Sequence, residues 1–160
     1  PLVGRNPPAA RQLASRARRR VKGARRTAPD PDHARQRTAV DAFFRAAREG
    51  DFDALVAVLD PDVVLAIDAG AGRPAASVEL HGAEAVARQA LTGLQRSLAG
   101  DLVELRPALV NGAAGVVVVA RGRPITVMGF TVVEGRIVEI DAIAEPERVR
   151  KVAGTAGAGE

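Results

Sequence analysis

The 160-residue chain contains no Cys, no Trp and no Tyr, and only four Phe, one Met and two His. Without cysteine there is no disulfide and no thiolate nucleophile, which fits a cytoplasmic protein. Two His far apart, with no Cys and no tight carboxylate cluster, do not make a ligand set, so neither a metal nor a cofactor is expected. With Tyr and Trp absent, the core must be built from Val, Leu, Ile and Ala. No apolar run approaches the length of a membrane span, so no membrane partner is expected. The Arg cluster at 16–20 is not followed by the apolar stretch of a signal peptide. No Gly-x-Gly-x-x-Gly opens a helix and no Lys-Ser/Thr follows a glycine loop, so a nucleotide site is not expected either.

What the chain does have is charge, unevenly placed. Residues 1–37 hold 11 Lys/Arg against 2 Asp/Glu, whereas the remainder holds 12 against 17. The sequence pI of about 10.8 therefore belongs to the first segment. That segment can neutralise phosphates, and its binding to nucleic acid should weaken steeply with salt.

The stretch 6–21, NPPAARQLASRARRRV, predicts one short basic helix. Asn6 suits the N-cap and Pro7 the first helical position. Ala9, Leu13, Ala17 and Val21 recur every four residues and form one apolar stripe. Arg11, Ser15 and Arg18 line a different face, with Gln12, Arg16 and Arg19 beside them. A turn at Gly4, a capped start and an Arg/Gln/Ser outer face suit the second helix of a helix-turn-helix. Such a helix sets Arg and Gln against base edges in the major groove and further Arg against phosphate. The alternative is a solvated basic helix or a disordered arm.

Gly23 is placed to end this helix, and ARRTAPDPD at 24–32 reads as a proline-stiffened linker. An α+β domain is expected over 33–152. Its first helix runs over His33–Glu49 with Asp32 as cap; a second follows Asp51 over 52–59. A strand at 63–67, a Gly/Pro loop at 68–76 and a short strand at 77–81 come next. A third helix covers Ala83–Leu98. The period then changes from helix to strand: 102–110 (Val103, Leu105 and Leu109 on one face), 116–120, 125–133 and 137–143. Asn111-Gly112, Arg121-Gly122-Arg123 and Glu134-Gly135 mark the turns. A short helix over 146–152 precedes a disordered tail at 153–160. The closing strands should form a curved antiparallel sheet, with helix 83–98 on its concave side and the first two helices closing a cone.

These stretches resemble two known families. VGRNPPAARQLASRARRRV closely resembles the end of region 4 in extracytoplasmic-function sigma factors of the sigma-70 family. The resemblance implies a helix, residues 6–20, that reads the −35 promoter element while the sigma factor is held by the RNA polymerase core. Only Pro1, Leu2 and Val3 precede the turn and the chain starts without Met, so a piece of a longer protein is expected. REGDFDALVAVLDPDVVL, with the element order, resembles the SnoaL-like group of the nuclear-transport-factor-2-like fold over about residues 35–150.

One group of sigma factors carries such an extension after region 4, with an Asp-Gly-Gly-Gly-Lys/Arg loop and a closing Asn-Pro-Asp-Lys-Leu motif. Asp68, Gly70, Gly72 and Arg73 match the loop, with Ala69 and Ala71 departing from it. Glu145, Pro146 and Arg148 lie in the stretch that corresponds to the closing motif, Glu145 standing in place of Asn. By resemblance both stretches touch sigma regions 2 and 4 or the polymerase, and the domain regulates the sigma core from within the chain. A small molecule in the cone would be its input signal.

The rival is an enzyme, an isomerase or cyclase of the SnoaL-like type, or else a small-ligand-binding module. Proton shuttling needs a carboxylate in a dry pocket and a donor for the developing oxyanion. Glu139 and Asp141 share one strand face, Asp68 closes the first strand, and Thr126 and Thr131 supply hydroxyls. Neither His33 nor His81 is placed as a base. A solvated sheet face for Glu139 and Asp141 is the weightier expectation, so no catalytic residue is assigned.

Overall fold

The computed structural model describes residues 31–73, 76–98, 103–110 and 112–157. The expected basic helix, with Arg11, Gln12, Ser15, Arg16, Arg18 and Arg19, lies outside the described residues. So do most of the linker, Leu102, Asn111 and residues 158–160.

Helix α1, His33–Glu49, opens on Asp32, whose carboxylate accepts the Ala34 N–H at 2.8 Å. Helix α2, Phe52–Val58, opens in the same way on Asp51, which accepts the Ala54 N–H at 3.0 Å. Both are the caps expected from the sequence. Strand β1, Leu59–Asp68, follows at once, then β2, Val78–His81, and helix α3, Ala83–Leu98. Strands β3, Val103–Val110, β4, Ala113–Ala120, β5, Arg123–Val133, and β6, Arg136–Ile143, lead to helix α4, Pro146–Gly157.

The six strands form one curved sheet in the order β2-β1-β6-β5-β4-β3. Strands β3 to β6 are the expected antiparallel meander. Arg121-Gly122 and Glu134-Gly135 form its later turns, and all four residues take positive φ. Two-residue turns of that kind match the twist of the strands they join. Strand β1 inserts parallel to β6, and β2 pairs antiparallel on the far side of β1.

Strand β1 begins four residues before the expected 63–67. Asp60-Pro61 does end the helix, but the chain pairs again immediately, Leu59 opposite Ile137. The prolyl kink is absorbed as an irregularity between Leu59 and Val64, where the Asp60 carboxylate accepts the Asp62 N–H at 2.8 Å. A strand residue without an N–H is tolerated at such a place.

Two apolar clusters lie on opposite faces of the sheet. The larger joins α1, α2 and α3 to the concave face and includes Val40, Leu55, Val86, Val118 and Ile140. All four Phe are spent there: Phe52 packs at the margin, and Phe43, Phe44 and Phe130 meet edge to face, with centroids 5.2–5.7 Å apart. Such pairs add roughly 1 kcal/mol each beyond the area they bury. The smaller cluster was not expected. Helix α4 lies across the convex face, where Val149 packs with Val110, Val117, Val119, Val127 and Ile143. Val152 and Ala153 also pack there, which is why α4 runs to Gly157 rather than stopping at 152. Leu109 shares a face with Val103 and Leu105 but is 41% exposed, next to the end of edge strand β3.

Candidate functional site

The end of β1 and the start of α4 form one surface. The Arg148 guanidinium forks onto Asp68, Nη2 donating to Oδ1 at 2.9 Å and Nη1 to Oδ2 at 3.1 Å. Its Nε donates to Glu145 Oε2 at 2.6 Å. The Gly70 N–H donates to Asp68 Oδ1 at 2.8 Å, and the Ala144 N–H donates to the Asp68 carbonyl at 2.8 Å. Burial alone would raise the Asp68 carboxyl. The hydrogen bonds from Arg148 and the Gly70 N–H, with the guanidinium charge, outweigh it and hold the group below its ordinary value. Burial likewise works to lower Arg148, and its two carboxylate partners more than restore it.

Gly70 has φ +89°, and a Cβ there would lie against Glu145, 2.9 Å from its Cβ. Glycine is needed for both reasons. Neither Ala69 nor Ala71 takes a positive φ. The two positions that depart from the glycine-rich pattern are thus ones where the backbone does not ask for glycine. The structure brings together Asp68, Gly70, Gly72, Arg73, Glu145, Pro146 and Arg148, which the sequence places in two distant stretches. Asp68 and Arg148 spend their charges on each other. Ala71, Gly72, Arg73 and Pro146 are exposed around them.

Between the concave sheet face and helices α1 and α3 lies a cavity of about 180 Å³ that is partly open to solvent. Its described lining carries two polar side chains, Gln89 of α3 and Thr126 of β5, and no Asp, Glu or His. Gln89 escaped the sequence reading; the signal was its position, three residues after the inward Val86. The candidate carboxylates are elsewhere. Ile140 and Ala142 line the cavity, so Glu139 and Asp141, the alternate residues of β6, face the convex side. They are also buried, 5% and 8% exposed, which corrects the expected solvated face. Both sit in the interior of the sheet, Glu139 between Val64 and Thr131 and Asp141 between Ala66 and Gly129. His33 reaches the Gly112 carbonyl at 3.0 Å and His81 pairs with Glu79, both away from the cavity. Among the described residues no group of three His, Cys, Asp or Glu could hold a metal, and no helix is long and apolar enough to cross a membrane.

No family model matches the chain. It is 32% identical over 157 residues to the ECF RNA polymerase sigma factor SigJ of Mycobacterium tuberculosis, across 92% of this chain and 49% of SigJ. The SigJ crystal structure superposes with a TM-score of 0.56 at 30% identity, over 88% of this chain and 49% of that one. The chain is homologous to ECF sigma factors. A second such relative, the probable ECF RNA polymerase sigma factor SigI of the same organism, is 29% identical over 98% of this chain and 51% of its own length. The chain spans about half the length of the relatives it matches. A steroid delta-isomerase from Pseudomonas aeruginosa has a TM-score of 0.51 at 15% identity, over 80% of this chain and 92% of that one. That likeness concerns the fold alone, which is the expected SnoaL-like, nuclear-transport-factor-2-like one.

Proposed function

We propose that this chain acts within a sigma factor for promoter-specific transcription initiation. Residues 6–20 read the −35 element, and the α+β domain regulates the sigma core from within the chain. The observation that carries this is the extent of the likeness to SigI. An alignment over 98% of the chain takes in both the Arg-rich segment and the α+β domain, in that order. The partners are then promoter DNA, the RNA polymerase core and sigma regions 2 and 4 of the same protein, and the setting is the cytoplasm. The 68–73 loop and the 145–149 stretch make the regulatory contact. Arg73 is offered outward, while Asp68 and Arg148 hold the surface in shape. A cavity whose described lining has no acid or base favours binding over the turnover of an isomerase or cyclase.

The test measures transcription from the protein's own promoter, in its natural flanking chain, beside the melting temperature. Arg16→Ala should lower output by about tenfold or more, the worth of one good base contact. Arg73→Ala should change output at an unaltered melting temperature. Unchanged output from Arg16→Ala would sink the −35 assignment. Unchanged output from Arg73→Ala would sink the regulatory one.

A further inference from the structure

The cone cavity and the Asp68–Arg148 surface share residues of the same two strand ends. Ile67 lines the cavity and immediately precedes Asp68. Ala142 and Ala144 line it too, and Ala144 both precedes Glu145 and donates its N–H to the Asp68 carbonyl. The wall of the cavity therefore ends where the surface begins. Close-packed strands do not deform smoothly, so a change in what fills the cavity is passed to its wall as a shift between discrete arrangements.

The lining specifies what fits. Apolar cavities of about 150 Å³ take up benzene-sized molecules. This one is slightly larger, at about 180 Å³. With no ionisable side chain on the described lining, a charged guest would give up water there without gaining a partner. Gln89 on the helix wall can donate and accept, as can Thr126 on the sheet wall. We propose that the cavity is an effector site for a small neutral molecule with an apolar body and one hydroxyl, carbonyl or amide group, whose binding resets the 68–73/145–148 surface. The consequence for transcription rests on the regulatory reading above; the binding does not.

Benzyl alcohol, toluene and benzoate are the probes, titrated into the 160-residue chain by calorimetry. Benzyl alcohol should bind one to one with Kd below about 1 mM. Benzoate should bind at least about tenfold more weakly, for want of a partner to its charge. Gln89→Leu should weaken benzyl alcohol by about tenfold while leaving toluene unchanged. Gly93→Leu should abolish binding of both. A Cβ at Gly93 meets nothing within 4 Å, so the added side chain has the cavity to fill while the helix gains a better helix former.

Amide hydrogen exchange at Gly70 and Ala144, both donors to Asp68, should change when benzyl alcohol is bound. Failure of benzyl alcohol to bind by about 1 mM, or equal binding of benzoate, overturns the site. Binding that leaves both amides unchanged overturns the effector role. None of these readouts uses a promoter. An inert Arg73→Ala with intact probe binding would therefore defeat the regulatory reading and spare the site.

Discussion

Asp68 and Arg148 stand 80 residues apart in sequence and meet through two hydrogen bonds in fork geometry. The guanidinium is 11% exposed and the carboxylate 22%. Removing Arg148 leaves two carboxylates, Asp68 and Glu145, without the cation they share. Arg148→Ala should cost about 2 kcal/mol, less than a fully buried pair because solvent reaches the carboxylate. Arg148→Lys should recover part of it, since an ammonium cannot fork. The pH dependence has a definite sign. The folded Asp68 carboxyl lies below its ordinary value of 3.8, so its stabilisation is complete above that value and is lost as pH falls through the lowered one. The melting-temperature gap between wild type and Asp68→Asn should be constant at neutral pH and close only below about pH 4. A gap that closes near pH 6 would show that the ion pair is not its source. Gly70→Ala should cost roughly 1–3 kcal/mol in denaturant unfolding, through positive φ and contact with Glu145. Ala71→Gly, at a position without positive φ, should not stabilise the loop.

Helix α4 ties that surface to the back of the sheet. Val149 is wholly buried one residue beyond Arg148, so the convex cluster fixes where the guanidinium stands. Val149→Ala should destabilise by roughly 2 kcal/mol and loosen the Asp68–Arg148 contact with it, read as faster exchange of the Gly70 amide. A stability loss without faster exchange would make α4 mere packing. The helices of the front layer were legible because their signals are local: Asp32 and Asp51 cap, Gly50 stops, and the apolar spacing of 40, 43, 44 and 47 faces one way. Two features were not. The parallel pairing of β1 with β6 joins residues some 75 apart and leaves no periodic trace in either strand. The side taken by Glu139 and Asp141 was hidden because alternation shows only that they share a face. Which face depends on long-range packing, which turns Ile140 into the concave cluster and Ile143 into the convex one. The Val149, Val152 and Ala153 spacing was the available cue that α4 buries a stripe. The seven residues of the candidate surface were legible one by one from motif resemblance. Their convergence was not, because it depends on that same strand pairing.

At the scale of the whole chain, the two parts differ in charge. Residues 1–37 carry the excess of Lys/Arg, and the remainder carries the excess of Asp/Glu. On the proposed reading, contact with DNA falls to the first part, since the sign of the rest opposes approach to phosphate. Each phosphate neutralised releases close to one counterion, so the logarithm of the DNA affinity falls with the logarithm of salt at a slope of about 0.9 per contact. Substituting one arginine of the basic segment, Arg18→Ala, should reduce that slope by about one and weaken binding alike on all sequences. Arg121→Ala removes the same charge from the β4–β5 turn of the α+β domain. It should leave the slope unchanged. The measurement is duplex binding at several salt concentrations for wild type and both variants. If Arg121→Ala shifts the slope as much as Arg18→Ala, DNA is held by the net charge of the molecule rather than by its first segment. A shift confined to Arg18→Ala locates the contact in the segment. The α+β domain is then left free of DNA for the regulatory contact proposed at its β1 and α4 ends.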